Sequence, residues 1–158
     1  MTENAQPEQA APEFALQRIY IKDISFETPN SPTIFNETWE PESNLNLNSN
    51  VEQVGENLYE VVLSVTVTTT LGDKTAYLVE VEQAGIFHVK GFPQAEMGPM
   101  MGAYCPNILF PFAREAISDL VSKGSFPQLL LTPVNFDALY AQHMQERQNQ
   151  TEQQAETH

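Results

Sequence analysis

Alternating apolar and polar residues predict β-strands in the first part of the chain. The clearest pattern lies between Tyr59 and Leu71, where every second residue as far as Val67 is apolar and most residues between are polar. Such alternation indicates a strand with one face in a core. Residues 71–74 (LGDK) predict a hairpin turn, and a further strand follows over residues 75–89.

Two weaker strands precede this hairpin, at residues 16–26 and 45–53. Pro29 and Pro32 end the first of them, because proline cannot donate to a strand ladder, and a loop continues to about Pro41. The first strand alternates imperfectly, with one face expected to carry Leu16, Tyr20, Ile24 and Phe26 and the other Ile19, Ile21, Asp23 and Glu27. Alternation puts Tyr77, Val79, Val81 and Gln83 on one face of the fourth strand, and Leu78, Glu80 and Glu82 on the other.

The pattern changes after Gly91. Residues 92–104 (FPQAEMGPMMGAY) are rich in Gly, Pro and Met and predict a flexible apolar loop. Apolar residues then recur at helical spacing from Pro106 until Gly124 ends the helix. Residues 126–135 follow as an extended linker with two prolines.

A last helix is predicted from Phe136 to about Gln145, with Asn135 as its N-terminal cap. Four antiparallel strands followed by two helices predict an α+β fold, in which the helices pack on one side of a four-stranded antiparallel sheet. We expect a single domain over residues 14–145, with a disordered acidic tail at 1–13 and a disordered polar tail at 146–158.

The 158 residues contain no apolar run long enough to span a bilayer, and the first residues resemble no secretory signal. One cysteine permits no internal disulfide. We therefore expect a soluble protein of the cytoplasm.

Charge is strongly one-sided, with 7 Lys and Arg against 21 Asp and Glu, a net charge of −14. This opposes binding to nucleic acid or to anionic membranes. Acidity alone can serve solubility, but eleven of the acids and only one base, Lys74, lie between Asp23 and Glu82. That concentration allows a basic partner.

Catalytic and metal sites find no support. Cys105 lies just before a helix, where a thiol pKa can fall, but His88, His143 and His158 stand at no recognised spacing from it. A small packed residue is the better interpretation of this cysteine. There is no zinc-ligand spacing and no glycine-rich phosphate loop, so we expect neither an enzyme nor a cofactor nor a metal.

Apolar side chains near loops and helix ends exceed what a core of this size needs. Half of them are expected to be core, and the others suggest a permissive binding surface or an oligomer interface. They are Phe35, Trp39, Tyr77, Tyr104, Phe110, Phe112, Phe126, Phe136 and Tyr140, with Met97, Met100 and Met101.

Several blocks together resemble the SecB family, cytoplasmic protein-export chaperones of Gram-negative bacteria. They are RIYIKDISFETPNSP, NLYEVVLSVTVT, AYLVEVEQAGIF and the long block from GAYCPNILFPFARE to TPVNFDALY. The resemblance runs from about Leu16 to Tyr140 and includes the order and spacing of the blocks. Only the tails lie outside it.

The resemblance implies a chaperone that holds unfolded precursor proteins without ATP and delivers them to the ATPase SecA. It also implies a homotetramer built as a dimer of dimers. The residues expected to contact SecA are Asp23, Glu27, Leu78 and Glu80, with a weaker second contact at 140–147. Those expected to line a client groove are Phe35, Trp39, Tyr77, Phe112 and Phe136. Val79, Val81, Gln83 and Cys105 are expected at the oligomer interface.

Two other functions stay open at this point. The same fold could serve as an adaptor or structural subunit for one folded partner, or as a SecB-like chaperone that guards an antitoxin. Suppression of aggregation of several unrelated unfolded proteins, without nucleotide, separates a general holding chaperone from an adaptor.

Overall fold

The computed structural model describes residues 11–157, which form one antiparallel sheet with helices on one of its faces. The strands are β1 (Glu13–Glu27), β2 (Glu42–Gly55), β3 (Leu58–Leu71) and β4 (Lys74–Lys90), with a short 3₁₀ helix (Thr33–Asn36) between β1 and β2. The helices are α1 (Gln94–Pro99), a π-helical turn (Met100–Tyr104), α2 (Cys105–Lys123) and α3 (Phe136–Glu156). The predicted fold class is confirmed.

The strands lie in the order β1-β4-β3-β2, so β1 and β2 are the two edges of the sheet. Tight turns join β2 to β3 and β3 to β4, with positive φ at Asn57 (57°) and Gly72 (61°). The hairpin predicted at LGDK is therefore present. Residues 28–41 carry the chain from β1 across to β2, and we call this segment the crossover loop.

The inner face of the sheet is covered by α2. On β3 and β4, Val65, Val67, Val79 and Val81 have no exposed surface. The side chains of α2 that are equally buried recur at helical spacing: Leu109, Ala113, Ile117 and Val121. Alternation on the strands and spacing on the helix thus predicted this core correctly.

The predicted faces of β1 need correction, because two β-bulges interrupt its pairing with β4. They lie between Leu16 and Arg18 and between Ile21 and Asp23, and each shifts the alternation by one residue. The inner-face residues are therefore Leu16, Ile19, Ile21, Ile24 and Phe26. Tyr20 instead pairs with Ala84 on the outer face, where Asp23 and Glu27 also lie.

The stretch predicted to be a flexible loop is largely helical. Pro93 precedes α1, and the π-helical turn continues into α2 without a break. Met101 and Ala103 of this turn are buried in the core. Tertiary packing therefore outweighs the poor local helix propensity of Gly and Pro.

The last helix starts as predicted and ends later. The Asn135 side chain accepts a hydrogen bond from the Ala138 backbone amide at 3.0 Å, which is an N-terminal cap. The helix then continues to Glu156 instead of ending near Gln145, so the expected disorder gives way to an exposed helix over residues 146–156. Gln, Glu and Arg in this stretch are good helix formers. Residues 1–10 and 158 of the predicted tails lie outside the described residues.

The residues predicted at an oligomer interface lie in the core of a single chain. Val79, Val81 and Cys105 have no exposed surface, and Gln83 is 2% exposed with its amide donating to the Tyr20 carbonyl at 3.1 Å. Their side chains are thus covered by the rest of the same chain. The inner face of β4 was correctly recognised as buried, but α2 of the same chain is what buries it.

Substitution of Val81 by Asp should therefore unfold the chain instead of merely dissociating copies. An unpaired carboxylate in this core costs roughly 3–5 kcal/mol of unfolding free energy. Ser25→Asp, on the exposed outer face of β1, is the control and should change that free energy little. Urea unfolding followed by circular dichroism measures both. A Val81→Asp protein with unaltered stability and a lower mass would contradict the assignment.

Candidate functional site

An aromatic cleft forms where the end of β1, the start of β4 and the crossover loop meet. Phe126, in the linker between α2 and α3, lies at its centre and is 7% exposed. The ring centroids around Phe126 are those of Tyr77 at 5.0 Å, Phe35 at 5.2 Å, Trp39 at 5.8 Å and Phe26 at 6.5 Å. We call the four residues that surround the Phe126 ring, Phe26, Phe35, Trp39 and Tyr77, the aromatic cleft. Sequence analysis grouped Phe35, Trp39 and Tyr77, and the structure brings them together.

Polar contacts fix the crossover loop against the β3–β4 hairpin. The Asn30 side-chain amide donates to the Thr75 carbonyl at 2.9 Å, and Lys74 Nζ donates to Glu37 Oε1 at 2.8 Å. Between these two ties, Ile34 is 3% exposed and anchors the loop in the core. The part of the crossover loop that carries Phe35 is thus held by contacts that do not involve Phe126.

A second apolar surface lies between β2 and α3, and we call it the α3 groove. Its volume is about 700 Å³. Its lining combines apolar and polar side chains and consists of Leu45, Asn46, Leu47, Asn48, Ser49, Leu63, Gly102, Phe136, Leu139, Tyr140, Gln142, His143 and Glu146. Phe136 is 6% exposed and packs edge-on against Phe110 with centroids 5.7 Å apart, so it forms part of the wall.

Two glycines position α3 beside this groove. An added Cβ at Gly98 would lie 2.5 Å from Tyr140 Oη, and one at Gly102 would lie 2.5 Å from Tyr140 Cδ2. Real side chains do not approach so closely, so the tyrosine ring fits only because both positions lack a side chain. The packing of Tyr140 on Gly98 and Gly102 therefore holds the groove-forming part of α3 close to α1 and the π-helical turn.

Strand β2 connects the two apolar surfaces. At its start, the Ser43 hydroxyl is hydrogen-bonded to that of Thr69 at 2.7 Å, and Thr69 pairs with Tyr77 of the aromatic cleft. Farther along, residues 45–49 form a wall of the α3 groove. Strand β2 thus runs from the end of the sheet that carries the aromatic cleft to the α3 groove.

Other residues predicted for a groove occupy different environments. Tyr77 is only 1% exposed, so it supports the cleft from below and offers almost no surface of its own. Phe35 is 49% exposed and Trp39 is partly buried, which makes them accessible walls. Phe112 is 47% exposed on α2 but lines neither the cleft nor the groove.

The outer face of the sheet is polar and acidic. Register pairs Glu27 with Leu78, Ser25 with Glu80, and Asp23 with Glu82. Directly paired residues of antiparallel strands lie on the same face. The predicted docking residues Asp23, Glu27, Leu78 and Glu80 therefore share this outer face, and Glu82 joins them; we call these five residues the acidic face.

The charges of the acidic face are not neutralised by basic side chains. Among the residues the structure describes, no ion pair involves Asp23, Glu27, Glu80 or Glu82. Glu60, farther along the same sheet face, differs: it accepts hydrogen bonds from Lys22 Nζ at 2.7 Å and from the Tyr20 hydroxyl. The hydrogen bonds from Lys22 and Tyr20 lower the pKa of the Glu60 carboxyl. Burial, together with the hydrogen bond to Glu60 and its negative charge, raises the pKa of the Tyr20 hydroxyl to about 12.

Cys105 has the environment of a packing residue. It is fully buried, and burial raises the pKa of its thiol to about 12. A thiol in that state has little nucleophilic thiolate at neutral pH. No helix among residues 11–157 is both long and apolar enough to cross a membrane.

The residues that hold the two apolar surfaces together have only weak signals in the sequence. Phe126 is one of many aromatic residues, and its only distinguishing features are that it is the sole aromatic residue of the linker and lies two residues after Gly124. The fit of Tyr140 against Gly98 and Gly102 left a trace in the sequence, two glycines four residues apart in a helix. Leu45 and Leu47 of the groove lie in a strand whose sequence alternates only weakly, so their place in the groove has little signal in the sequence.

One family model and three relatives match this chain over most of its length. The family model described as preprotein translocase subunit SecB matches residues 7–147. A protein named Protein-export protein SecB from Methylococcus capsulatus is 61% identical over 150 residues, which cover 95% of each chain. Proteins of the same name from Nitrosococcus oceani and Marinobacter nauticus are 62% and 54% identical, covering 87% and 95% of this chain and 85% and 93% of theirs.

Among solved structures, a SecB-like chaperone of Mycobacterium tuberculosis, in complex with a ChAD peptide from an antitoxin, resembles this fold with a TM-score of 0.64. Its sequence is 15% identical, and the match covers 77% of this chain and 90% of that one. At this identity the likeness concerns the fold alone.

Gly102→Ala should destabilise the chain because its methyl group displaces the Tyr140 ring. Overpacking of this kind costs roughly 1–3 kcal/mol of unfolding free energy. In a Tyr140→Ala background the same substitution should cost almost nothing, and a double-mutant cycle by urea unfolding measures the difference. Equal costs in both backgrounds would show that Tyr140 does not depend on this glycine.

Proposed function

Because the chain belongs to the SecB family and is a protein-export chaperone, we propose that it holds unfolded precursor proteins on the aromatic cleft and the α3 groove, without ATP, and delivers them to SecA through its acidic face. The observation that carries this proposal is the separation of two kinds of surface by one sheet. Apolar clefts follow the inner side and the β2 edge, and unpaired carboxylates occupy the outer side.

The apolar side suits segments of many sequences. Apolar burial contributes about 25 cal/mol per Å² and demands no particular partner geometry. The aromatic cleft offers Phe, Tyr and Trp side chains, and the α3 groove offers Leu, Phe and Tyr side chains with polar ones between them. Exposed apolar side chains of an unfolded chain can therefore bind in several registers.

The acidic face suits a reversible contact with a basic partner. Exposed ion pairs contribute only about 0.2–1 kcal/mol each and weaken with salt. Asp23, Glu27 and Glu80 together can thus support a contact that forms and dissociates readily, while the half-buried Leu78 adds an apolar anchor. A transfer step to SecA requires such a contact.

Membership of the SecB family favours a homotetramer, a dimer of dimers, in the cytoplasm, and the uncovered apolar residues of β1 support contact between copies. Leu16, Ile21 and Ile24 lie on the inner face of this edge strand and are 38%, 47% and 41% exposed. A second copy that covers them would bury apolar surface which one chain leaves in water. These residues, and not Val79 or Val81, are the interface candidates of the chain.

Combined Phe35→Ala and Trp39→Ala substitution should weaken binding of an unfolded client roughly tenfold, because two accessible walls of the cleft are lost. The loss should persist at high salt, since it is apolar. Phe112→Ala removes a ring of similar exposure outside the cleft and is the matched control. Fluorescence titrations with several unrelated unfolded proteins measure the affinities. An unaltered affinity in the double variant would exclude the aromatic cleft as a client-binding site. Binding to only one folded protein would favour an adaptor function.

Combined Asp23→Lys and Glu80→Lys substitution should reduce SecA binding by roughly tenfold or more at low salt, because it reverses two charges of the acidic face. Client holding and the oligomer should remain intact, since both side chains lie on the face opposite the core. Glu56→Lys with Glu115→Lys makes the same change in net charge at exposed positions elsewhere. Calorimetry at two salt concentrations tests all three proteins. Equal SecA affinity in the three, or loss of client holding with the first pair, would contradict a separate docking face.

A further inference from the structure

The linker between α2 and α3 has the character of a client segment. Residues 125–135 contain no charged side chain, in a chain with 7 Lys and Arg and 21 Asp and Glu. Phe126, Leu129, Leu131 and Val134 are buried or partly buried against the core, whereas Leu130 is 71% exposed. The linker is therefore an extended apolar segment that presents an aromatic ring and aliphatic side chains to the protein's own apolar surface.

Side-chain packing alone holds most of this linker. Within residues 11–157, no backbone or side-chain hydrogen bond ties residues 127–134 to the rest of the chain. Pro127 and Pro133 keep the segment extended and remove two donors. The linker is thus held on the core by apolar side-chain contacts without a ladder of backbone hydrogen bonds. Apolar contact is also the way in which a client is proposed to bind.

The end of α2 directs Phe126 into the cleft. Ser125 has a φ of 65°, and the Phe126 amide donates to the Val121 carbonyl at 3.2 Å. At Gly124, an added Cβ would lie 2.5 Å from the Phe26 ring, so the turn passes directly against the cleft wall. The ring of Phe126 is thereby delivered to the centre of four other rings.

Part of the cleft wall is held by contacts that do not involve Phe126. Phe26 and Tyr77 stack on each other with centroids 5.9 Å apart, and the crossover loop is tied to the hairpin by Asn30 and Glu37. If these walls keep their positions, removal of the Phe126 ring leaves a space of the size of one aromatic side chain.

We propose that the linker is an internal competitor, in which Phe126 fills the aromatic cleft and must leave before an aromatic side chain of a client can enter. This inference rests on the proposed client-holding function and adds its regulation and side-chain preference. A site that is filled most of the time binds with an affinity reduced by the fraction that is open. Tethering of Phe126 beside the cleft gives it a high effective concentration, so only a client with several apolar contacts displaces it.

Phe126→Ala should therefore strengthen binding, opposite in direction to loss of Phe35 and Trp39. The probes are the free peptide of residues 124–135 and the same peptide with Leu in place of its single Phe. The Phe peptide should bind the Phe126→Ala protein about tenfold more tightly than the wild type, and the Leu peptide should show little difference. Leu130→Ala, which removes an exposed side chain of the same linker, should leave both affinities unchanged.

Unchanged or weaker binding of the Phe peptide to Phe126→Ala would overturn the proposal and make Phe126 a wall of the cleft. A permanently unfolded protein, reduced and carboxymethylated α-lactalbumin, is titrated in parallel. If the unfolded α-lactalbumin binds while the peptide result is negative, client holding stands and only the competitor role of Phe126 fails. If the unfolded α-lactalbumin binds neither the wild type nor the variant, the holding function itself fails.

A second measurement uses the unmodified protein, in case Phe126→Ala does not fold. Saturation with the unfolded protein should accelerate chymotrypsin cleavage within Leu129–Leu131, because the displaced linker becomes accessible. Slower or unchanged cleavage at these bonds would mean that the linker stays in place when a client binds, which contradicts displacement.

Discussion

The packing of one helix on one face of a long-stranded sheet is the constraint on which the other features depend. Helix α2 buries the centre of β3 and β4 completely, as the absence of exposed surface at Val81 and Ile117 shows. A single helix cannot also cover the edges of four strands of this length. Apolar residues therefore remain accessible along β1 and β2, and these remaining surfaces are where holding and assembly are proposed.

The sheet also separates two kinds of interaction. Its inner side and β2 edge offer apolar contacts, which are non-directional and largely independent of salt. Its outer side offers unpaired carboxylates, such as Glu80 and Asp23, whose contacts are individually weak and sensitive to ionic strength. Two binding equilibria of different physical character can thus operate on one small domain without sharing side chains.

Local patterns predicted the elements whose stability is itself local or strictly periodic. Strand β3, helix α2 and the Asn135 cap follow from alternation, helical spacing and capping chemistry. The two bulges of β1 have no local signature, so Tyr20 was assigned to the wrong face. The helix at Gly98–Gly102 depends on Tyr140, about forty residues away in sequence, and the place of Phe126 depends on a positive φ at Ser125. Both are tertiary features that periodicity does not encode.

The independence of the two surfaces is tested most directly by forming a ternary complex with SecA and an unfolded client and raising the salt concentration. Light scattering coupled to size exclusion gives the mass of each species. We predict a ternary complex at low salt that loses SecA at high salt while the client remains bound. Mutual exclusion of SecA and client at low salt, or release of client ahead of SecA, would contradict it.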